Sequence, residues 1–337
     1  MQRELTESGP LLDSAGRLLE RGWARAPVRA YDRSAVAPGW WRIKEWDYYA
    51  VLNSSCGVAV TVADIGYLGL LSASWLDFEA GTVVSDSRVV PLPRGRFGMP
   101  PDPDEGAVRL ERRGVRVSFV PTAAGRAIQF EFPGFDGGRG LAVDLTLERA
   151  PDDDRVVIVH DWAKNRQRFY YNVKDPALPA RGTVTVGDRT EQLGDAALGV
   201  HDWGRGAWPY TSTWYWGAAG TWHDGVRLGW NLGYGFGDRE QASENAIVYD
   251  GTVHKLADVD FHFGEYEDTW EITSSDGRLE MDFEPLFDRA ESINLGLLAT
   301  TQHQVFGHYS GTLVLDDGTT LTVEDVIGFA EEVRNRW

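Results

Sequence analysis

The residues with the greatest chemical potential lie between positions 199 and 236, in GVHDWGRGAWPYTSTWYWGAAGTWHDGVRLGWNLGYGF, where aromatic rings, glycines and a few ionisable groups crowd together. His201 and Asp202 supply an imidazole and a carboxylate, side chains suited to general acid–base work. Trp203, Trp208, Trp214, Tyr215, Trp216, Trp230 and Tyr234 would wall a pocket around them, with Arg205 and Asn231 as polar contacts. Successive side chains of a strand point to opposite faces, so His201 and Trp203 share one face and Asp202 takes the other. Bringing His201 and Asp202 into one cavity therefore needs a break in the strand. Gly204 and Gly206 next door predict a bulge or sharp turn that re-aims one of them. The competing reading has His201 and Asp202 satisfying buried groups at a domain junction, with Arg205 as the ion-pair partner of Asp202.

Two further groups have the right residue types. The tripeptide recurs as His160-Asp161-Trp162, which makes His160 and Asp161 second candidates for the acid–base pair, although three matching residues also arise by chance. In WWRIKEWDYY, Glu45 and Asp47 are interleaved with rings and share one strand face. They point either to a solvated outer surface or into an aromatic cavity that would raise a carboxyl pKa. In LGWNLGYGF the side chains sort into Leu228, Trp230, Leu232, Tyr234 and Phe236 on one face and Gly229, Asn231, Gly233 and Gly235 on the other. A glycine-rich face predicts the close approach of another backbone, a bulky ring or a ligand.

The elements that must position these residues read as β. The chain of 337 residues carries 14 Trp, 14 Phe, 12 Tyr and 38 Gly, a mixture of strand formers and turn residues. Asp-Gly pairs at 136–137, 224–225, 250–251, 276–277 and 317–318 mark hairpins, because glycine supplies the positive φ that primed turns require. Helical periodicity is confined to residues 11–21 and the terminal VEDVIGFAEEVRNRW, which reads equally as a strand. The expected organisation is an all-β chain with an extended N-terminal arm (1–35) and two barrel-like halves (36–185 and 186–337).

Composition also excludes. With 33 Lys and Arg against 51 Asp and Glu, the formal net charge of −18 repels nucleic acids and anionic membrane surfaces. The single Cys56 forms no internal disulfide, and the N-terminus has no secretory pattern, so the expected location is the cytoplasm. No apolar run is long enough for a membrane helix. There is no P-loop, dinucleotide fingerprint, HExxH, GxSxG or CxxC, and the seven histidines are scattered, so neither a cofactor nor a metal is expected. His303 and His308 would share a metal only on a bent strand.

Motifs along nearly the whole chain carry a resemblance. YYNVKDPALPARGTVTVGDRTEQLGDAALGVHDWGRG resembles the mid-chain segment of the two-domain lipocalin-like family that includes AttH and hydroxyneurosporene synthase. GLAVDLTLERAPDD, WYWGAAGTWHDGVRL and HYSGTLVLDDG with IGFAE resemble segments that flank it. Where the family has a D-x-x-W-G pattern, this chain has His201-Asp202-Trp203-Gly204, with a shorter spacing. The resemblance implies two β-barrels enclosing a largely apolar ligand, isoprenoid or polyketide-like, and cofactor-independent hydration, isomerisation or cyclisation. The residue inventory suits that chemistry, since aromatic faces stabilise developing positive charge. It equally suits a non-catalytic carrier of a hydrophobic ligand, or a protein that binds or processes carbohydrate.

Overall fold

In a computed structural model, residues 2–162, 165–239, 241–294 and 296–337 are described, and they form an all-β protein with three short 3-10 turns and no α-helix. The terminal segment that reads two ways is a strand, Thr320–Arg336, and residues 11–21 make a turn closed by a Leu12–Leu18 bridge. All five Asp-Gly pairs lie between antiparallel neighbours. At Asp224-Gly225 and Asp250-Gly251 both residues have positive φ (50° and 80°, 49° and 75°), the primed turn that suits strand twist.

Two curled sheets make up the body. The main path of the first runs Thr82–Pro91, Leu68–Asp77, Cys56–Asp64, Ile43–Leu52, Leu198–Ala207, Asn165–Val186, Leu141–Glu148, Gly125–Phe132, Val115–Thr122 and Val108–Arg112. It closes nearly into a barrel, so that Val60 and Leu71 from one end pack in the same core as Phe119, Phe130 and Leu145 from the other. The second is a half-barrel in which Thr211–His223 lies between Val226–Tyr234 and Thr320–Arg336, and its concave face buries Trp230, Trp270, Phe283 and Tyr309. The expected division at 185/186 marks the end of a long strand. The change of sheet comes between Ala207 and Thr211.

Between the sheets lies a third core, here called the seam, where Tyr48, Tyr170, Trp208, Trp216, Phe236 and Phe329 meet. Glycine on the second sheet permits the approach: a Cβ on Gly229 or Gly220 would stand 2.6 or 2.7 Å from the Ala177 methyl. Ala177 sits at an irregularity of the long strand with φ 58°. The glycine face of LGWNLGYGF is thus filled at Gly229 by the Ala177 methyl of the first sheet. Residues 2–36 lie across the outside, where Leu5, Leu11, Leu12, Leu18 and Tyr31 cover Val157, Val159, Phe169 and Tyr171. No helix among the described residues is long and apolar enough to cross a membrane.

Candidate functional site

The strand Leu198–Ala207 is the wall between the barrel and the seam. It pairs residue for residue with Ile43–Leu52, from Leu198–Leu52 to Ala207–Ile43, with no shift in register. The expected break at Gly204 and Gly206 is therefore absent, and alternation holds. Those glycines serve packing: a Cβ on Gly204 would lie 2.1 Å from the Trp46 ring, and one on Gly206 would lie 2.4 Å from the Phe169 carbonyl. His201 and Asp202 consequently belong to two different polar clusters.

Asp202 faces the seam. Its Oδ2 lies 3.0 Å from Lys174 Nζ and accepts from Trp46 Nε1 (3.1 Å), while Oδ1 accepts from Asn172 Nδ2 (2.6 Å). Its cation is thus Lys174 rather than the expected Arg205, which alternation turns to the opposite side. There Arg205 donates to the carbonyls of Trp46 (2.7 Å) and Pro100 (2.8 Å) and stacks on Trp203. Tyr170, Asn172 and Lys174 reach the seam together because they are alternate residues of one strand. The Lys174 ammonium also sits 3.7 Å from the centre of the Trp216 ring, a close cation–π contact.

From the second sheet, Trp216 Nε1 donates to Asn231 Oδ1 (2.8 Å), and Asn231 Nδ2 donates to the backbone carbonyl of Glu244 (3.0 Å). Gly233 opens the space into which Glu244 folds, since a Cβ there would lie 2.3 Å from Glu244 Oε1. Glu244 is 2% exposed, and neither carboxyl oxygen has a hydrogen-bond partner among the described residues. Burial raises its pKa to about 7, with Asp202 pushing the same way and the Lys174 and Lys255 ammonium groups and the nearby Asn231 amide opposing. Glu331 lies across the seam, accepting from Trp214 Nε1 and from Gln304 Nε2 (both 3.1 Å), and burial raises it as well. Trp46, Tyr170, Phe236 and Trp214 form a column of stacked rings 5.9, 5.2 and 5.8 Å apart. Trp208 stands edge-on to three of them. Trp46 and Trp214, the ends of the column, are half-buried.

His201 faces the barrel. Its ring lies flat on Tyr49 at 4.6 Å, with Nδ1 3.1 Å from Asp175 Oδ2 and Nε2 3.9 Å from Asp47 Oδ1. Arg155 grips Asp175 and Asp104, and with His201 it holds the Asp175 carboxyl well below the usual range. Glu45 and Asp47 share this side of their strand but are buried, Glu45 under the arm and Asp47 beside His201 and Arg205. Tyr31 donates to Glu45 (2.9 Å), Arg33 pairs with it, and burial raises its pKa. The solvated outer surface is thereby corrected.

The repeated tripeptide divides in the same way. His160 lies at the seam's edge beside Tyr170, its imidazole pushed down to about 3 by burial, while Asp161 turns toward the arm and pairs with Arg21 (3.0 Å). Alternation also turns Tyr215, Trp230 and Tyr234 away from the seam, into the second core. There Tyr215 stacks on Tyr234 at 4.5 Å and Trp230 meets Tyr309. Of the residues singled out in the sequence, the seam therefore gathers Asp202, His160, Trp208, Trp214, Trp216 and Asn231, while His201, Asp161, Glu45, Asp47, Trp203 and Arg205 lie on other faces. Sequence reasoning missed Trp46, Asn172, Lys174 and Glu244. The first three alternate with buried residues on strands, a legible signal; Glu244 lies in a segment without periodicity. No group of three or more His, Cys, Asp or Glu among the described residues is placed to hold a metal. His303 pairs with Asp288 (2.6 Å), and His308 bonds the Asp325 carbonyl.

Residues 2–337 match the family described as a domain of unknown function, DUF2804, and the chain belongs to that family. A search of curated protein sequences gives no match. Among solved structures the chain is similar to kievitone hydratase from Nectria haematococca, at 12% identity and a TM-score of 0.47, over 87% of this chain and 88% of that one. An AttH-type protein from Nitrosomonas europaea matches at 12% identity and a TM-score of 0.49, over 92% and 98%. CghA matches at 13% and 0.42, over 98% and 94%.

Proposed function

We propose that this DUF2804 protein binds a neutral, largely apolar small molecule in the seam and moves a proton to or from it, in a hydration, isomerisation or cyclisation that needs no cofactor. The observation that carries the reading is Glu244: a buried carboxyl, both oxygens unpartnered, titrating near neutral pH among aromatic rings. A group with a pKa near the working pH can both give and recover a proton, the condition for efficient general acid–base catalysis. Asp202 has its oxygens already engaged by Lys174, Trp46 and Asn172. Its part is to anchor Lys174 and hold a fixed negative charge beside the reacting group.

The rings supply the other requirement. Protonating an alkene or opening a ring builds positive charge on carbon, and aromatic faces attract such charge. The Trp216 face is taken by the Lys174 ammonium at 3.7 Å, so the faces left to meet such charge are those of the Trp46, Tyr170, Phe236 and Trp214 column. A carrier of hydrophobic ligands would use the same rings but has no need for an unpartnered carboxyl in their midst. Titration with farnesol, followed by tryptophan fluorescence, tests the binding step. A saturable change with farnesol and none with ATP is expected; a response to ATP alone overturns the reading.

A further inference from the structure

We propose a second binding site, on the barrel side of the same strand, for a small organic carboxylate. A cavity of about 230 Å³ opens there, lined by Tyr49, Arg126, His201 and Leu178 and, at its polar side, by the Asp104 and Asp175 carboxylates with the Arg149 and Arg155 guanidinium groups that pair with them. Arg126 is only 8% exposed, and among the described residues its guanidinium makes neither a side-chain hydrogen bond nor an ion pair; its one close electrostatic neighbour is the Tyr49 ring, 6.0 Å away. The Arg126 guanidinium opens onto the cavity with no carboxylate paired to it, so its donors face the space a ligand would occupy. The neighbouring cations are already engaged, Arg155 by Asp104 and Asp175 and Arg149 by Asp104 at 3.3 Å. Arg126 is therefore the cation of this cavity with its donors still available.

The rest of the lining fits the same ligand. The Tyr49 hydroxyl is buried without a partner, so it can donate to a ligand oxygen beside the guanidinium. His201 cannot be the acceptor of that hydroxyl's proton without leaving the Asp175 and Asp47 carboxylates between which it lies. Leu147, Leu178 and Pro121 offer apolar wall for the body of the molecule. The volume falls below the ~300–1,000 Å³ of pockets for drug-sized ligands, which suits a single ring or short chain. One guanidinium and one hydroxyl match a monoanion, and a guanidinium recognises a carboxylate through paired N–H donors. The site shares no lining residue with the seam, and its occupancy is independent of the reaction proposed there.

Benzoate, its neutral analogue benzamide and inorganic phosphate serve as probes on the full chain, with melting temperature and calorimetry as readouts. Benzoate should raise the melting temperature saturably, while benzamide and phosphate should not. In Arg126→Gln benzoate affinity should fall at least tenfold, and the unliganded variant should melt no lower than wild type, because the substitution removes an uncompensated charge. Tyr49→Phe keeps the ring packed on His201 and should weaken benzoate several-fold. The proposal is overturned by equal responses to benzoate and benzamide, by unchanged affinity in Arg126→Gln, by a response to phosphate only, or by an unliganded Arg126→Gln that melts below wild type and so reveals a purely structural arginine.

Discussion

Replacing Glu244 by glutamine tests the electrostatics of the seam without altering its shape. The carboxyl titrates near 7 in the folded protein against an ordinary value of 4.5, so the folded state binds this proton more tightly than the unfolded state does. The resulting stabilisation is complete below the ordinary carboxylate range and is lost as pH rises through about 7. A shift of that size corresponds to about 3 kcal/mol in full, of which about 2 kcal/mol is lost between roughly pH 5.5 and pH 8. Other groups titrate in the same window. The His160 imidazole, pushed down to about 3, has the opposite slope: it carries a penalty that is full below about 3 and is relieved as pH rises to the ordinary histidine value. The wild-type profile alone therefore mixes signs; the difference between wild type and Glu244→Gln reports the carboxyl together with the buried Lys255 ammonium, pushed down to about 7 and held up by the Glu244 charge, whose further fall in the variant adds to the difference in the same direction. Urea unfolding of both proteins at the two pH values should show wild type losing about 2 kcal/mol relative to the variant on going to the higher pH. Parallel behaviour of the two proteins would refute the raised pKa and with it the argument for Glu244 as the acid.

Asp202→Asn leaves the Lys174 ammonium buried without its counter-charge and should cost about 3–5 kcal/mol in urea unfolding, most of it recovered in Asp202→Asn/Lys174→Met. His201→Ala removes the bond to Asp175 and should cost about 1–3 kcal/mol, yet leave the farnesol fluorescence titration unchanged, because the ring faces the barrel. Gly229→Ala drives a methyl into Ala177 and should cost about 1–3 kcal/mol, seen as a lowered urea midpoint with an unchanged far-ultraviolet spectrum.

Fold class was legible because strand signals and turn signals agree. Asp224-Gly225 and Asp250-Gly251 are local instructions that need no tertiary context. Alternation was legible too: it says that His201 and Asp202 diverge, and they do. The inference of a break failed because glycine in a strand has two uses, and Gly204 makes room for a ring from the neighbouring strand rather than for a bend. Which partner fills such a space is a tertiary fact. The burial of Glu45 was hidden for a similar reason, since the covering arm has no periodicity that says where it packs. Glu244 was the hardest residue to find. It lies in SENA, between elements, and its properties come from Gly233, Asn231 and Lys174 on other segments.

The central claim, proton transfer in the seam by Glu244, is tested most directly by isotope incorporation. Any molecule extracted from the purified protein, or farnesol where none is found, is incubated with wild type and with Glu244→Gln in deuterated buffer and analysed by mass spectrometry. The account predicts deuterium bound to carbon with wild type, and none with a Glu244→Gln protein that still quenches on binding the same molecule. Equal incorporation by both proteins, or none by a wild type that binds the molecule, would contradict it.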